Sequence, residues 1–371
     1  MLRVGNQSKG IWILHGLTIR IAHCLGLHRD GAKLGLSPFL VETRRRIWWQ
    51  LLSRDGRAGE DYGLENTASL LMESDVPLPL NIDDEDLYPD MKQPPRAKAG
   101  WTTMTSSLIH IDLSRTTQRL ASLAAAATPS QPAREEVRAA VVDEFRARVQ
   151  QWTQHCNPVI PRQRSTLVSA NFSLRKLDFI TRLQWTLSRG WRESYADFAS
   201  ERNIVEALEI LGPCRHRGDE LLRQFAWMGK AYPQYHVTMF VLWYLCIRPE
   251  GPGVERAWKV VDETFAEELW DESVIGFGYK ATVLADLKAK ALRLREKVRG
   301  SADQASGAAV ERESSNSLKR LGELKSMPAC QVASVTGSEL GVDDGTHDWL
   351  DWEALVQTFR LDSHDGLWQS S

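Results

Sequence analysis

The chain has 371 residues, of which 43% are hydrophobic and 25% are charged, and these fractions are ordinary for a folded protein with a sizeable core. Its formal net charge of −2 excludes a global positive field of the kind that draws proteins to nucleic acid or anionic membranes. The five cysteines are scattered and odd in number, which favours a reducing compartment over a disulfide framework.

The first predicted element is a helix over residues 8–26, whose apolar side chains return every three or four positions. Four of them share one stripe: Leu14, Leu17, Ile21 and Leu25. Gly26 marks the end of this helix. Two histidines and an arginine interrupt the apolar run, so it is too polar and too short to span a bilayer. We therefore expect a soluble intracellular protein without a membrane partner.

The second predicted helix begins where Ser37 is placed to cap it and Pro38 takes the first helical position, at which a missing N–H costs nothing. Its predicted apolar face comprises Ile47, Trp48, Leu51, Leu52 and Tyr62. Five prolines follow between positions 77 and 95, and the segment SDVPLPLNIDDEDLYPDM at 74–91 predicts a long irregular loop.

Helical periodicity continues after this loop, whereas strand signals are scarce because alternation of period two is nowhere sustained. Seven further helices are predicted, at about residues 101–127, 133–156, 167–190, 201–226, 232–248, 254–270 and 277–299. The pattern predicts an all-α fold, a multi-helix array with the Pro-rich loop after its second helix.

Composition divides the chain into three parts. Residues 1–299 form the predicted helical domain. Residues 300–345 are rich in Ser, Gly and Ala and have few large apolar side chains, which predicts a disordered linker. Residues 346–371 regain aromatic and acidic side chains and form an acidic aromatic tail.

The turn between the first two helices contains His28-Arg29-Asp30, the tripeptide that opens the catalytic loop of protein kinases. In that loop an asparagine follows five positions after the aspartate, and here Gly35 stands there with no side chain to hold a metal. We therefore interpret the tripeptide as an interhelical turn. Asp30 is expected to pair with an arginine of the second helix, and His28 to donate to a helix-end carbonyl. A small-molecule site is the alternative.

The patterns of metal and catalytic chemistry are missing from the sequence. No C-x-x-C spacing, no G-x-S-x-G elbow and no phosphate-binding G-x-x-x-x-G-K-[ST] loop occurs, and the H-x₄-H pair of His23 and His28 has no cysteine pair before it. We therefore predict no catalytic, cofactor-binding or metal-binding residue, and a protein that is not an enzyme.

The tail has the spacing of an amphipathic helix. Its apolar anchors are Trp349, Trp352, Leu355, Val356 and Phe359, the last four at positions i, i+3, i+4 and i+7. Asp348, Asp351 and Glu353 surround them. Such a segment either docks into a partner's groove as an activation segment or folds back on the helical domain.

Three blocks near the N-terminus occur in a fixed order: LGLHRD at 25–30, ETRRRIWW at 42–49 and PLPLNIDDEDLYP at 77–89. Together they resemble the middle homology region of fungal transcription factors of the binuclear zinc-cluster class. The stretch at 232–262 is similar to a second block of the same region, and the resemblance extends from about residue 8 to 300.

The resemblance implies an all-α regulatory domain of a nuclear transcription factor, in a family whose members often control metabolic or secondary-metabolite gene clusters. It implies that the tripeptide is an interhelical turn, and that the family-motif residues have structural roles: His28, Arg29, Asp30, Arg44, Arg45, Arg46, Trp48 and Trp49. Implied partners are the transcription machinery or other regulators, with homo- or heterodimer formation.

This chain departs from the family in lacking the six-cysteine zinc cluster, so no zinc cofactor is expected in it. The domain is also expected to be incomplete at its N-terminus, through a truncated gene model or because the protein acts without touching DNA itself. DNA contact is then expected only indirectly or through the absent module. The alternative is a ligand sensor or interaction scaffold that does not bind DNA.

Overall fold

A computed structural model of the chain describes residues 9–62, 74–126, 134–188, 197–212, 219–225, 227–228, 234–266 and 283–300. These residues form helices, turns and loops and contain no strand, which confirms the all-α prediction. The linker predicted at 300–345 lies outside them apart from its first residue, and so does the whole tail. Among the described residues, no helix combines the length and apolar character needed to cross a membrane.

The helices are numbered here in chain order. They are α1 (Lys9–Cys24), α2 (Pro38–Tyr62), α3 (Thr105–Ala125), α4 (Glu135–Thr153), α5 (Pro161–Ser188), α6 (Glu201–Leu211), α7 (Tyr235–Ile247), α8 (Val254–Thr264) and α9 (residues 283–300). Two 3₁₀ turns, Asp84–Asp86 and Glu220–Phe225, lie between them. By compactness the chain divides into Met1–Lys288 and Ala289–Ser371, and residues 289–300 are the described part of the second unit.

The first two helices pack as a pair, and α2 also contacts α3. Trp48 of α2 is fully buried between them, beside Ala22, Leu27 and Val76. The Pro-rich loop follows α2 as predicted, and its described part runs from residue 74 to 104 with the 3₁₀ turn Asp84–Asp86 as its single helical element.

The middle of the unit is a group of three mutually packed helices, α3, α4 and α5. Phe145 of α4 is completely buried in their common core, together with Val141, Val142 and Trp185. The buried Arg138 of α4 donates to Glu135, to the Asp178 carboxylate and to Thr181 of α5. This pairing satisfies a charge that would otherwise be costly to bury.

The last group is built around α7, which contacts α5, α6 and α8. Nine of its thirteen residues are buried, because neighbouring helices surround it. A helix that is covered in this way is apolar on all sides. Ser200 caps α6 by accepting from the Asn203 amide. The helix predicted over 201–226 is wrong in extent: α6 ends at Leu211 before Gly212, and a separate 3₁₀ turn follows.

The exposed side of α1 is unexpected. The stripe of Leu14, Leu17, Ile21 and Leu25 faces solvent, and each of these side chains is more than half exposed. The helix packs on α2 through its opposite side, where Ile19 and Ala22 are buried.

Candidate functional site

Three segments that are distant in sequence meet in one cluster, which we call the clasp: the turn at residues 25–36, the first half of α2, and the loop at residues 74–104. Each of these segments contains one of the three N-terminal blocks noted in the sequence. Their contacts show what the family-motif residues do.

The turn begins with a helix-end motif at Gly26. The amide of Leu27 donates to Ala22 and the amide of Gly26 to His23, both at 2.9 Å, in the pattern of a Schellman cap. Gly26 has φ +67°, a left-handed conformation that favours glycine.

Arg44 reaches across from α2 to the last carbonyls of this cap. Its Nη2 donates to the carbonyl oxygens of Leu25 at 3.2 Å and of Gly26 at 2.6 Å. A cation at a helix C-terminus is favoured because the last carbonyls have no partner within the helix. The expectation that His28 fills this role is therefore wrong.

Asp30 forms the centre of the clasp. Its carboxylate accepts from Arg45 Nη2, at 3.0 Å to Oδ1 and 3.3 Å to Oδ2. Its own amide donates to Asp75 Oδ1 at 2.7 Å, and Lys33 Nζ lies 3.0 Å from Asp75 Oδ2. Hydrogen bonds from Lys33 and from the Asp30 amide lower the pKa of Asp75. The turn is thus tied both to α2 and to the loop.

A second pair of groups ties α2 to the loop. Glu42 is buried, and its Oε1 accepts from the Leu80 amide at 3.0 Å and from Arg46 Nε at 3.2 Å. Arg46 Nη1 also donates to Asp84 Oδ1 at 2.8 Å. Burial raises the pKa of Glu42 despite these partners, because removal from water disfavours the charged form.

The two tryptophans of the motif have different roles. Trp49 Nε1 donates to the Pro77 carbonyl at 2.9 Å and so holds the entry of the loop. Trp48 is completely buried against the rings of His23 and His28, which stack on each other with centroids 4.2 Å apart. Burial, followed by the neighbouring His23, lowers the pKa of His28.

The far part of the loop is closed by its own polar network. The buried Asn81 donates to the carbonyls of Lys98 and Gly100 and accepts from Thr102 and Thr105. Lys98 Nζ bridges Asp83 and Asp86, which lowers the pKa of both carboxyl groups. The acidic residues at positions 83–86 therefore form a 3₁₀ turn that is held by a capping box and by ion pairs with Lys98.

The chemistry of the clasp is structural. Asp30 is 6% exposed and engaged by Arg45, so it is not placed to accept a proton from a substrate. Gly35, at the position of the kinase asparagine, lies in an exposed turn at φ +70°. No group of three or more His, Cys, Asp or Glu that is arranged to hold a metal occurs in the described part of the chain.

The structure brings together seven of the eight family-motif residues. The eighth, Arg29, is largely exposed, and its Nε lies 4.0 Å from Asp75 Oδ2. Asp75 itself was not predicted from the sequence, because its partner amide is 45 residues away and no local pattern links them. The five tail anchors from Trp349 to Phe359 lie outside the described residues.

Comparison with known protein families gives a match over the same part of the chain. Residues 2–154 match the fungal specific transcription factor domain, a range that contains the whole clasp. No solved structure matches the chain.

Curated relatives agree with this match. The pyriculol/pyriculariol biosynthesis cluster transcription factor 1 of Pyricularia oryzae is 27% identical over 68% of this chain and 34% of its own length. The aurofusarin cluster transcription factor of Gibberella zeae is 24% identical over 69% of this chain and 38% of its own. The transcriptional regulator AacuB of Aspergillus aculeatus is 27% identical over 73% of this chain and 37% of its own length.

The chain therefore spans little more than a third of the length of these relatives. The alignments with these relatives cover more of the chain than residues 2–154. The domain match covers the part that forms the clasp. Residues 2–154 are thus similar to the fungal specific transcription factor domain.

Proposed function

We propose that the chain is the helical regulatory part of a nuclear transcriptional regulator that controls a secondary-metabolite gene cluster. The observation that carries the proposal is the domain match over residues 2–154. Within this range the motif side chains bind one another and the neighbouring loop, as in the pairs Arg45–Asp30 and Arg46–Asp84. The relatives named above, which act in the pyriculol/pyriculariol and aurofusarin clusters according to their names, support the cluster-specific role.

In this proposal the chain works without an enzymatic activity and without a metal or other cofactor of its own. Its described residues supply no metal-binding group, and its net charge of −2 is unsuited to wide phosphate contact. DNA contact then comes from other segments or from partner regulators. Homo- or heterodimer formation and contact with the transcription machinery complete the proposal.

Gene disruption in the encoding fungus tests the regulatory role. We expect transcripts of neighbouring biosynthetic genes to change when the gene is disrupted, and to recover when the wild-type gene is restored. Restoring an Asp84→Ala variant should also rescue, because Asp84 is exposed and its ion pair with Arg46 contributes little. Unchanged transcripts of the neighbouring genes would refute the cluster-specific role.

We further propose that the acidic aromatic tail is an activation segment. Fusing residues 346–362 to an unrelated DNA-binding domain should drive a reporter gene. Replacing Trp352, Leu355 and Phe359 by Ala should remove most of the signal, since apolar anchors supply the contact in a partner's groove. Neutralising Asp348 and Asp351 should weaken it less, because the acids act mainly in steering. A silent fusion at normal protein levels would contradict this role.

A further inference from the structure

Two histidine rings lie face to face where α1, the turn and α2 meet. His23, near the end of α1, and His28, in the turn, have ring centroids 4.2 Å apart and ring planes inclined by 13°. The rings of His23 and Trp48 meet edge to face with centroids 5.3 Å apart, and Trp48 lies 6.3 Å from His28. We call His23 and His28 the histidine stack.

The histidine stack is a large part of what attaches α1 to its neighbours. The helix packs against α2, and between residues 13 and 24 the buried side chains are Ile19 and Ala22. His15 and His23 are half-buried on the same side of the helix, and His15 Nε2 donates to the Leu51 carbonyl at 2.9 Å. Because the aliphatic contact is small, the attachment of α1 depends on its histidines.

Neutral rings fit this position, whereas charged rings do not. Within the described residues, neither His23 Nε2 nor His28 Nδ1 has a hydrogen-bond partner, and both atoms are shielded from solvent. A neutral imidazole can keep its proton on the other ring nitrogen, whereas an imidazolium must place an N–H at both nitrogens. A buried N–H without an acceptor is costly, so protonation of either ring works against the closed arrangement.

The charges that face the histidine stack act mostly in the same direction. Burial is the largest cause that lowers the pKa of His28, and three neighbouring groups add to it: His23 of α1, Arg29 of the turn and Arg44 of α2. Asp75 of the loop acts in the opposite direction, but its carboxylate is already bonded to Lys33. On α1 itself, Arg20 lies one turn before His23, and the helix contains no acid.

We propose that the histidine stack is a proton-sensitive contact that holds α1 on α2 while both rings are neutral and releases α1 when they are protonated. The rest of the helical unit stays folded, because its cores around Phe145 and α7 do not include the stack. This inference goes beyond the transcriptional role proposed above and does not depend on it.

The direction of the pH dependence follows from linkage. A histidine released into water has a pKa of about 6.5. The closed form holds the pKa of His28 below its ordinary value, so the released form takes up more protons and gains population as the pH falls through that range. Between about pH 7 and pH 5.5, the equilibrium constant for release rises up to roughly eightfold for each ring that stays neutral in the closed form.

Hydrogen–deuterium exchange of the full chain, followed by peptide mass spectrometry at about pH 7 and pH 5.5, measures the release. Observed rates are divided by the intrinsic rates at each pH to give protection factors. We expect the protection of amides in residues 13–24 to fall at least threefold at the lower pH, since a released helix of this length is marginal in water. The protection of α7 should stay unchanged.

Variants assign the pH step to the histidine stack. His28→Phe keeps a ring on His23 but removes a proton site, so the step should shrink, and it should vanish when His23→Phe is added. The control is His15→Gln, which lies on the same side of α1 but outside the stack, and it should retain the full step. Circular dichroism at neutral pH will verify that the variants fold.

Three results would overturn the proposal. They are α1 protection that is the same at both pH values, a step that persists in the double phenylalanine variant, and an equal loss of protection in α1 and α7, which would mean global unfolding. If the double variant does not fold, His28→Phe alone decides: a smaller step supports the proposal, and an unchanged step overturns it.

Discussion

Replacing Asp30 by alanine is expected to lower the free energy of unfolding by about 2 to 4 kcal/mol. The Asp30 side chain is 9% exposed and that of Arg45 is 16% exposed, so the change leaves a largely buried guanidinium without its carboxylate. Removing one partner of a fully buried pair costs about 3–5 kcal/mol, and an exposed pair contributes about 1 kcal/mol or less. Both groups are largely buried but keep a little solvent contact. The expected cost of Asp30→Ala therefore lies slightly below that of a fully buried pair.

Urea denaturation followed by circular dichroism and tryptophan fluorescence measures this change. Asp84→Ala is the matched control, since Asp84 also pairs with an arginine of α2 but its side chain is 68% exposed. The control should lose less than about 1 kcal/mol. If Asp30→Ala and Asp84→Ala destabilise the protein equally, the burial argument is wrong.

A double-mutant cycle separates the pair from the general effect of the substitution. Arg45→Met fills the volume of the arginine stem without its charge, so in the Asp30→Ala background it should recover part of the lost stability. In the wild-type background the same change leaves the Asp30 carboxylate buried and unpaired, and it should destabilise. Additive effects of the two substitutions would show that the pair is not coupled.

Three further predictions concern the clasp. Gly26→Ala should lower the free energy of unfolding by about 1–2 kcal/mol, because Gly26 has φ +67°. Gly16→Ala, in helical backbone, should raise it by up to about 1 kcal/mol. Melting temperatures that shift in the same direction for both variants would refute the role of the left-handed backbone. The pKa of His28 is lowered from 6.5 in the folded state, so the unfolded chain takes up the proton first and stability should fall as the pH drops below about 6.5. His28→Gln should flatten that pH dependence in denaturation curves, and an unchanged slope would contradict the assignment. Trp49→Phe removes the hydrogen bond to Pro77 and should cost about 0.5–1.5 kcal/mol and speed proteolysis in the loop at 74–104, whereas Trp227→Phe at an exposed position should do neither.

Local signals determined most of the helix limits. Ser37 and Pro38 start α2 as predicted, because capping and proline preference depend on a few neighbouring atoms. Gly26 ends α1 for the same reason, since its left-handed backbone favours glycine whatever packs around it. The Pro-rich loop was also predictable from its composition.

Tertiary structure decided what those helices do with their side chains. The periodicity of α1 predicted a stripe at Leu14, Leu17, Ile21 and Leu25, but the packed side is the one with Ile19 and Ala22. Periodicity shows that a helix has faces, whereas the arrangement of neighbouring elements determines which face they cover.

The partners in the clasp were likewise beyond local reasoning. The sequence by itself placed three arginines near Asp30 along the chain and predicted a pair with one of them. The structure gives Arg45 to Asp30, Arg44 to the helix-end carbonyls, and Arg46 to Glu42 and Asp84. Successive residues of a helix point in directions about 100° apart, so the position of each neighbour in space, and not its distance along the chain, selects which charge it meets.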